Sequence, residues 1–165
     1  MTGSPPRERI VKVADWAAER GDAIIVTLGL GSCVAIMLHD SQARAGAMAH
    51  VLLPSKSLAR DVTNPAKFPE TAVPLLVESL VALGADSRRL VAKLVGGASM
   101  FAQLMTPGSV QMGERNIAAA RATLRRVGIP LACEAVGGGA GRSVRFYVAD
   151  GRVEIRSVGA DAAVI

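Results

Sequence analysis

Two apolar runs, Val34–Leu38 and Ala45–Leu53, flank the polar stretch His39-Asp40-Ser41-Gln42. Each run reads as a strand, and the second ends at Pro54. Together they predict an antiparallel hairpin whose loop is longer than two residues. A hairpin limits which side chains can meet, because its register pairs the arms residue by residue. Cys33 opens the first arm and His50 lies late in the second.

The remaining chain supplies further strands and two helices. Residues 1–8 (MTGSPPRE) form a polar lead-in expected to be flexible, and a single domain is expected over 9–165. Ile10–Val13 reads as a short strand, and Ala23–Thr27, rich in β-branched residues, as a buried one. Residues 14–20 (ADWAAER) fit either a helical turn or a second extended piece. Residues 55–70, interrupted by Pro65 and Pro69, read as a surface loop with one helical turn. Val73, Leu76, Val77, Leu80 and Val81 recur at helical spacing and predict a helix over 71–83, ending near Gly84. A second helix is predicted over 114–127, with Ile117, Ala120, Leu124 and Val127 as its stripe and Gly128 as its stop. Arg89–Val95, Pro130–Val136, Val144–Val148 and Val153–Val158 read as strands, the last two joined by the turn Ala149-Asp150-Gly151. Residues 98–112, rich in Met, Ser and Gly, receive no assignment. The order predicts one α+β or layered α/β domain, a mostly antiparallel sheet with two principal helices packed on it.

At 165 residues the chain is long enough for one real core and short enough to argue against two. Aromatic residues make up only 3%, so the core must come from aliphatic side chains and Met, with little stacking surface for bases or sugars. The formal net charge of +5 attracts anionic partners without choosing among them. No nucleic-acid motif accompanies it, and no apolar run has the length of a membrane span. Two distant cysteines do not make a secreted disulfide scaffold. A reducing cytoplasm, without membrane insertion, is the expected setting.

Cys33 follows Gly29-Leu30-Gly31-Ser32, where glycine lets the chain turn sharply and present amide N–H groups to an oxyanion. A thiol needs a base, and only two histidines exist. Folding the hairpin brings His50 towards Cys33, at a cross-strand spacing of about 5 Å, whereas His39 falls at the turn and faces solvent. A hydroxyl on Thr27, at the end of the preceding strand, can accept a hydrogen bond from the imidazole and orient it. The plainer alternatives are a buried apolar cysteine, a satisfied sheet histidine and a threonine placed for strand propensity. Gly137–Gly139 and Gly141, followed by Arg142, fit either an anion cradle or a mobile loop. Cys133 is expected in the core. No close Cys/His pair forms a metal site, and GLGSC lacks the lysine and spacing of a phosphate-binding loop.

TLGLGSCV (27–34), GAMAHVLLP (46–54), GGASMF (96–101), GERN (113–116) and GGGAGRSV (137–144) occur in the order seen in the CheD family. The loop-to-helix passage Lys67-Phe68 and Glu70-Thr71-Ala72-Val73 resembles that family as well. The resemblance implies a fold similar to toxin-type glutamine deamidases. It implies deamidation of glutamines on methyl-accepting chemotaxis receptors through a cysteine thioester, with receptor methyl esters as second substrates in some members. It places the nucleophile on Cys33, the histidine on His50 and the third residue on Thr27. It implies no metal or organic cofactor, and a CheC-type phosphatase as partner in some bacteria. The competing reading is a non-catalytic chemotaxis adaptor that binds a receptor or such a phosphatase.

Overall fold

The computed structural model describes residues 3–101, 104 and 111–165. Ten strands divide between two five-stranded sheets, each mixed. The first holds β1 (Arg7–Ile10), β3 (Ala23–Leu30), β8 (Arg142–Tyr147), β9 (Val153–Ser157) and β10 (Ala163–Val164), in the order β1-β3-β8-β9-β10. The second holds β2 (Trp16–Arg20), β5 (Ala45–Val51), β4 (Val34–Asp40), β6 (Val91–Gly96) and β7 (Leu131–Val136), in the order β2-β5-β4-β6-β7. One parallel pair sits in each sheet, β1 with β3 and β6 with β7, and the other pairings are antiparallel.

The α+β layered class expected from the sequence holds, with its strands shared between two sheets rather than gathered in one. Residue alternation along β4 explains how. Val34, Ile36 and Leu38 join a core with Val73, Leu76, Leu80, Ile117 and Leu124 of the helices. Cys33, Ala35 and Met37 join a second core with Ile25, Leu30, Val144 and Phe146 of the first sheet. The second sheet is therefore apolar on both faces, one against helices and one against the other sheet, so β4 and β5 are buried throughout.

The helices α1 (Pro69–Ala82) and α2 (Met112–Val127) lie near their expected positions. Pro69 suits the first helical position of α1, where an N–H is not required. Gly128 closes α2 at φ 78°, donating to Arg125, as a left-handed cap. Ile117, Ala120 and Leu124 are buried, but Val127 lies outside the covered stripe. Within 14–20, Trp16–Arg20 form β2, and 55–70 hold two short 3-10 turns at Lys56–Leu58 and Pro65–Lys67. Arg7 and Glu8 of the lead-in already belong to β1. Much of the unassigned stretch 98–112 lies outside the described residues.

The hairpin loop is shifted by two residues. His39 and Asp40 end β4 instead of turning, and the reversal occupies 41–44. His39 is accordingly buried, against the expectation of a solvent-facing turn residue. Its Nε2 lies 2.7 Å from the Val148 carbonyl, and its ring meets Phe146 edge-on. Asp40 is fully buried and accepts from the amides of Gln42, Ala43 and Asp86 and from the Arg89 guanidinium.

Candidate functional site

The site is built between the sheets. His50 pairs with Ala35 and Val51 with Val34 across the hairpin. Paired residues share a face, so His50 points into the intersheet layer with Ala35 and with Cys33, two positions earlier. Cys33 therefore stands diagonally from His50, a relation of about 7–8 Å between Cα atoms in a regular ladder. The sequence reading placed the two at cross-strand spacing, which would need a register two residues away from the Ala35–His50 pairing observed.

Thr27 reaches the same layer from β3 of the facing sheet. Three residues from Thr27 to Leu30 span two on β8, Val144 to Arg142, which makes a bulge. Gly29 occupies it at φ 68°, a conformation that costs glycine little. The extra residue pushes Leu28 outwards and returns Leu30 to the buried layer, just before the turn that delivers Cys33.

Thr27 Oγ1 lies 2.6 Å from the Val11 carbonyl and 2.7 Å from His50 Nδ1. A hydroxyl has one proton to give, and a carbonyl can only accept. Thr27 therefore donates to Val11, and His50 Nδ1–H donates to Thr27. That assigns the tautomer and leaves Nε2 with its lone pair. His50 Nε2 is buried and, among the described residues, has no hydrogen-bond partner, Cys33 included. The carbonyl and amide of His50 are also tied down, by Ala14 N–H and the Asp15 carbonyl.

Cys33 is 8% exposed, and burial pushes its thiol above the ordinary cysteine value. Burial likewise lowers the His50 imidazole below its usual value. Both shifts favour the neutral forms, a protonated sulfur and an imidazole with its lone pair on Nε2. The Cys33 backbone N–H acts in the opposite sense, lowering the thiol value, but burial has the larger effect.

The Cys33 turn rests on glycine. Gly97 N–H donates to the Cys33 carbonyl at 2.8 Å, and a Cβ on Gly96 would stand 2.4 Å from that carbonyl oxygen. Asn116, fully buried in the first turns of α2, donates from Nδ2 to the carbonyls of Ser32 at 2.9 Å and Leu52 at 3.1 Å. The sequence reading gave Asn116 no role. A signal was present: it sits four residues before Ala120 and seven before Thr123, a polar side chain on the buried stripe.

Arg142 does not serve as an open anion cradle. Its guanidinium donates to the carbonyls of Gly96, Ala135 and Gly137, bracing the glycine loop against β6. Cys133 lies half-buried on the edge strand β7 rather than in the core, and both cysteines are free. A cleft of about 680 Å³ is lined by Ser99, Met100, Phe101, Leu104, Glu114 and Gly137–Gly139. None of Cys33, His50 and Thr27 lines it. Met100 links it to the Cys33 turn: its sulfur would be 3.3 Å from a Cβ on Gly31.

A histidine with a fixed tautomer, sharing an intersheet layer with a cysteine on a glycine-supported turn, is the arrangement of a cysteine–histidine centre in a two-sheet α+β protein. The model of the family described as CheD chemotactic sensory transduction matches residues 52–157. A Moorella thermoacetica protein, named a probable chemoreceptor glutamine deamidase CheD, is 43% identical and covers 97% of this chain and 96% of its own. The Thermotoga maritima chemoreceptor glutamine deamidase CheD is 41% identical, covering 92% and 93%. This chain belongs to the CheD family. Among solved structures, a Neisseria meningitidis protein of the DUF152 family is 14% identical with a TM-score of 0.47, covering 81% of this chain and 63% of that one. Among the described residues, no helix is long and apolar enough to cross a membrane.

Proposed function

We infer that this protein hydrolyses the side-chain amide of glutamines on chemotaxis receptors, giving glutamate and ammonia, with Cys33 as nucleophile. The observation that carries the reading is the Thr27–His50 contact, which leaves Nε2 as a base on the face that carries Cys33. The names of the relatives supply the substrate class.

The steps follow from the protonation states. Cys33 Sγ attacks the amide carbon while its proton passes to His50 Nε2, and a C–S bond forms. Backbone N–H groups of the glycine-rich turn stabilise the oxyanion. The C–N bond then breaks as Nε2–H protonates the departing nitrogen, and ammonia leaves a thioester. Nε2 takes a proton from water, the hydroxide adds to the thioester carbon, and the C–S bond breaks. Sulfur recovers a proton and glutamate is released. A glutamate methyl ester enters the same sequence with methanol as leaving group.

Exposed Leu28, Met100 and Phe101 beside the turn offer apolar contact to a protein substrate. Two free cysteines suit a reducing cytoplasm. The family likeness also extends the reading to a CheC-type phosphatase as partner, tested by co-purification of the two proteins.

The deciding experiment incubates wild type and Cys33→Ala with a chemoreceptor cytoplasmic domain and follows glutamine peptides by mass. Wild type should add one mass unit and release ammonia, and the variant should do neither. Receptor binding by wild type without a mass change would establish the adaptor reading instead.

A further inference from the structure

We propose that Asn116 is the positioning residue that holds the Cys33 turn at its working distance from His50, by clamping the open end of the β4–β5 hairpin with its side-chain amide. This rests on the reading of Cys33 and His50 as the reacting pair.

The regular pairing of β4 with β5 stops at Val34 and Val51. Continued by one step, that register would set Cys33 opposite Leu52. The next carbonyls outward are those of Ser32, one residue before the nucleophile, and Leu52, two beyond His50. Asn116 Nδ2 donates to both, at 2.9 and 3.1 Å. Its two hydrogens thus do for the end of the ladder what a backbone pair does further in. The orientation of the amide is chemically unambiguous, since two carbonyls demand the nitrogen.

The clamp comes from outside the sheet, on a helix whose approach is fixed. A Cβ on Gly113 would stand 2.5 Å from the Gly97 carbonyl oxygen and 2.6 Å from that of Ala98, so only glycine lets α2 start this close to β6. The same segment, Gly97-Ala98 just beyond β6, supports the Cys33 turn through Gly97 N–H to Cys33 and Ala98 N–H to Gly31. Asn116 is therefore seated on a helix that starts against the segment bracing the Cys33 turn.

Its oxygen adds a second observation. Asn116 Oδ1 is buried without a partner, and with His50 Nε2 it forms the pair of unsatisfied buried side-chain atoms among the described residues. Leaving an acceptor buried and unpaired is unfavourable. A residue placed only for packing would shed that cost by becoming apolar; the two donated hydrogen bonds are what the position retains. Among the described residues Asn116 makes no hydrogen bond to Cys33 Sγ, so its effect passes through the Ser32 and Leu52 carbonyls.

The test compares Asn116→Ala and Asn116→Ser with Thr123→Val. Thr123 is equally buried on α2 but donates within the helix, to Ala119, away from the site. Serine keeps one donor but is too short to span both carbonyls, and it supplies the measurement if the alanine variant does not fold. Deamidation is measured per folded molecule, with kcat and KM separated. In parallel, iodoacetamide alkylation of Cys33 and Cys133 is followed against pH by peptide mass.

Either Asn116 variant should lower kcat about 10²-fold with little change in KM, the scale of a displaced reacting group. The pH profile of Cys33 alkylation should shift while that of Cys133 stays in place. Thr123→Val should change neither. The alkylation profile needs no receptor, so it judges the clamp even if the receptor reading fails. Unchanged kcat and an unchanged Cys33 profile, or losses matched by Thr123→Val, would overturn the proposal.

Discussion

Thr27 Oγ1 stands 2.7 Å from His50 Nδ1 while giving its only proton to the Val11 carbonyl. The contact joins the two sheets and sets the tautomer of the imidazole. Thr27→Val keeps the shape and removes the hydroxyl. It leaves His50 Nδ1–H and the Val11 carbonyl buried without each other's bridge, at roughly 2–4 kcal/mol in stability. The proton is then free to move to Nε2, which ends its service as a base. Deamidation should fall about 10²-fold, within the range ascribed to general base catalysis. Nitrogen NMR of His50 reads the tautomer directly: Nε2 unprotonated in wild type, mixed in the variant. An unchanged tautomer with full activity would remove Thr27 from the mechanism.

The pH dependence follows from burial of the same imidazole. His50 is held below its ordinary value because the charged form is poorly solvated between the sheets. Activity should therefore persist below pH 6.5, where a solvent-exposed histidine would already be protonated, and fall only as pH drops through the lowered value. Stability has the same sign. The folded state binds fewer protons than the unfolded chain in that window, so the His50 contribution is present above about 6.5 and is lost on acidification. Cys33, raised by burial, acts at the other end: its contribution is present below the unfolded thiol value and is lost as pH rises through the folded one. Without assistance from His50, Cys33 should be alkylated more slowly than Cys133 at neutral pH. His50→Gln with iodoacetamide gives that comparison.

His39 shows where sequence reading stops. A polar His-Asp-Ser-Gln stretch between apolar runs marks a turn by composition, and the true turn begins two residues later. His39 and Asp40 continue β4 because buried partners satisfy them: the Val148 carbonyl on the other sheet, and Arg89 with three amides. The Val148 carbonyl, Arg89 and the Asp86 amide come from far along the chain and leave no local mark. The hairpin, both helices and the Gly128 stop were legible, since each is encoded by near neighbours. The division into two sheets was not, because β4 reads as apolar on both sides whether a helix or a sheet covers each. Cys33 and His50 were legible as residues, but their diagonal offset depends on the turn position. Val11, whose backbone carbonyl directs the Thr27 hydroxyl, has no side-chain signature at all.

The burial of His39 changes what its removal should do. His39→Ala leaves the Val148 carbonyl unpaired and opens space against Phe146. Gly46 and Gly151 already approach the ring so closely that a Cβ would meet it at 3.4 and 2.7 Å. The expected cost is about 3 kcal/mol, combining an orphaned acceptor and a cavity. Activity per folded molecule should be retained, because His39 belongs to the far end of the hairpin. Chemical denaturation beside a deamidation assay separates the two effects.

Asp40 and Arg89 make a comparable anchor at that end. Arg89 beside Asp40 holds its carboxyl far below the usual carboxylate range, and the carboxylate also accepts three amides. Asp40→Ala leaves those donors and a guanidinium without their acceptor. Because Arg89 is itself partly exposed, water relieves part of the loss, and about 3 kcal/mol is expected, the lower end for a broken buried pair. For wild type, this contribution is fully present above the unfolded carboxylate value and declines only in strong acid. Equal denaturation midpoints for wild type and Asp40→Ala at neutral pH would contradict the assignment.

Gly96 bears on the nucleophile most directly. Its φ of 115° lies where a side chain is strained, at a cost of about 1–3 kcal/mol. A Cβ there would stand 2.4 Å from the Cys33 carbonyl oxygen and 3.3 Å from Val34 Cα. Both neighbours are backbone, so no flexible side chain can give way. Gly96→Ala must push the Cys33 turn off β6 or rotate its own peptide, which would break the Gly97-to-Cys33 and Gly137-to-Gly96 hydrogen bonds. Either response moves the sulfur relative to His50, where displacement by about 1 Å costs roughly 10²-fold in rate. Gly97→Ala supplies the contrast: its Cβ would meet Ile117 side-chain atoms at 2.4 Å, a clash with α2 rather than with the nucleophile. Pairing Gly97→Ala with Ile117→Ala removes both clashing atoms, Cγ1 and Cδ1, and should recover part of the lost activity. No substitution of a side chain should recover Gly96→Ala, and a suppressor in the α2 core that did so would show that the turn is not held by this backbone contact.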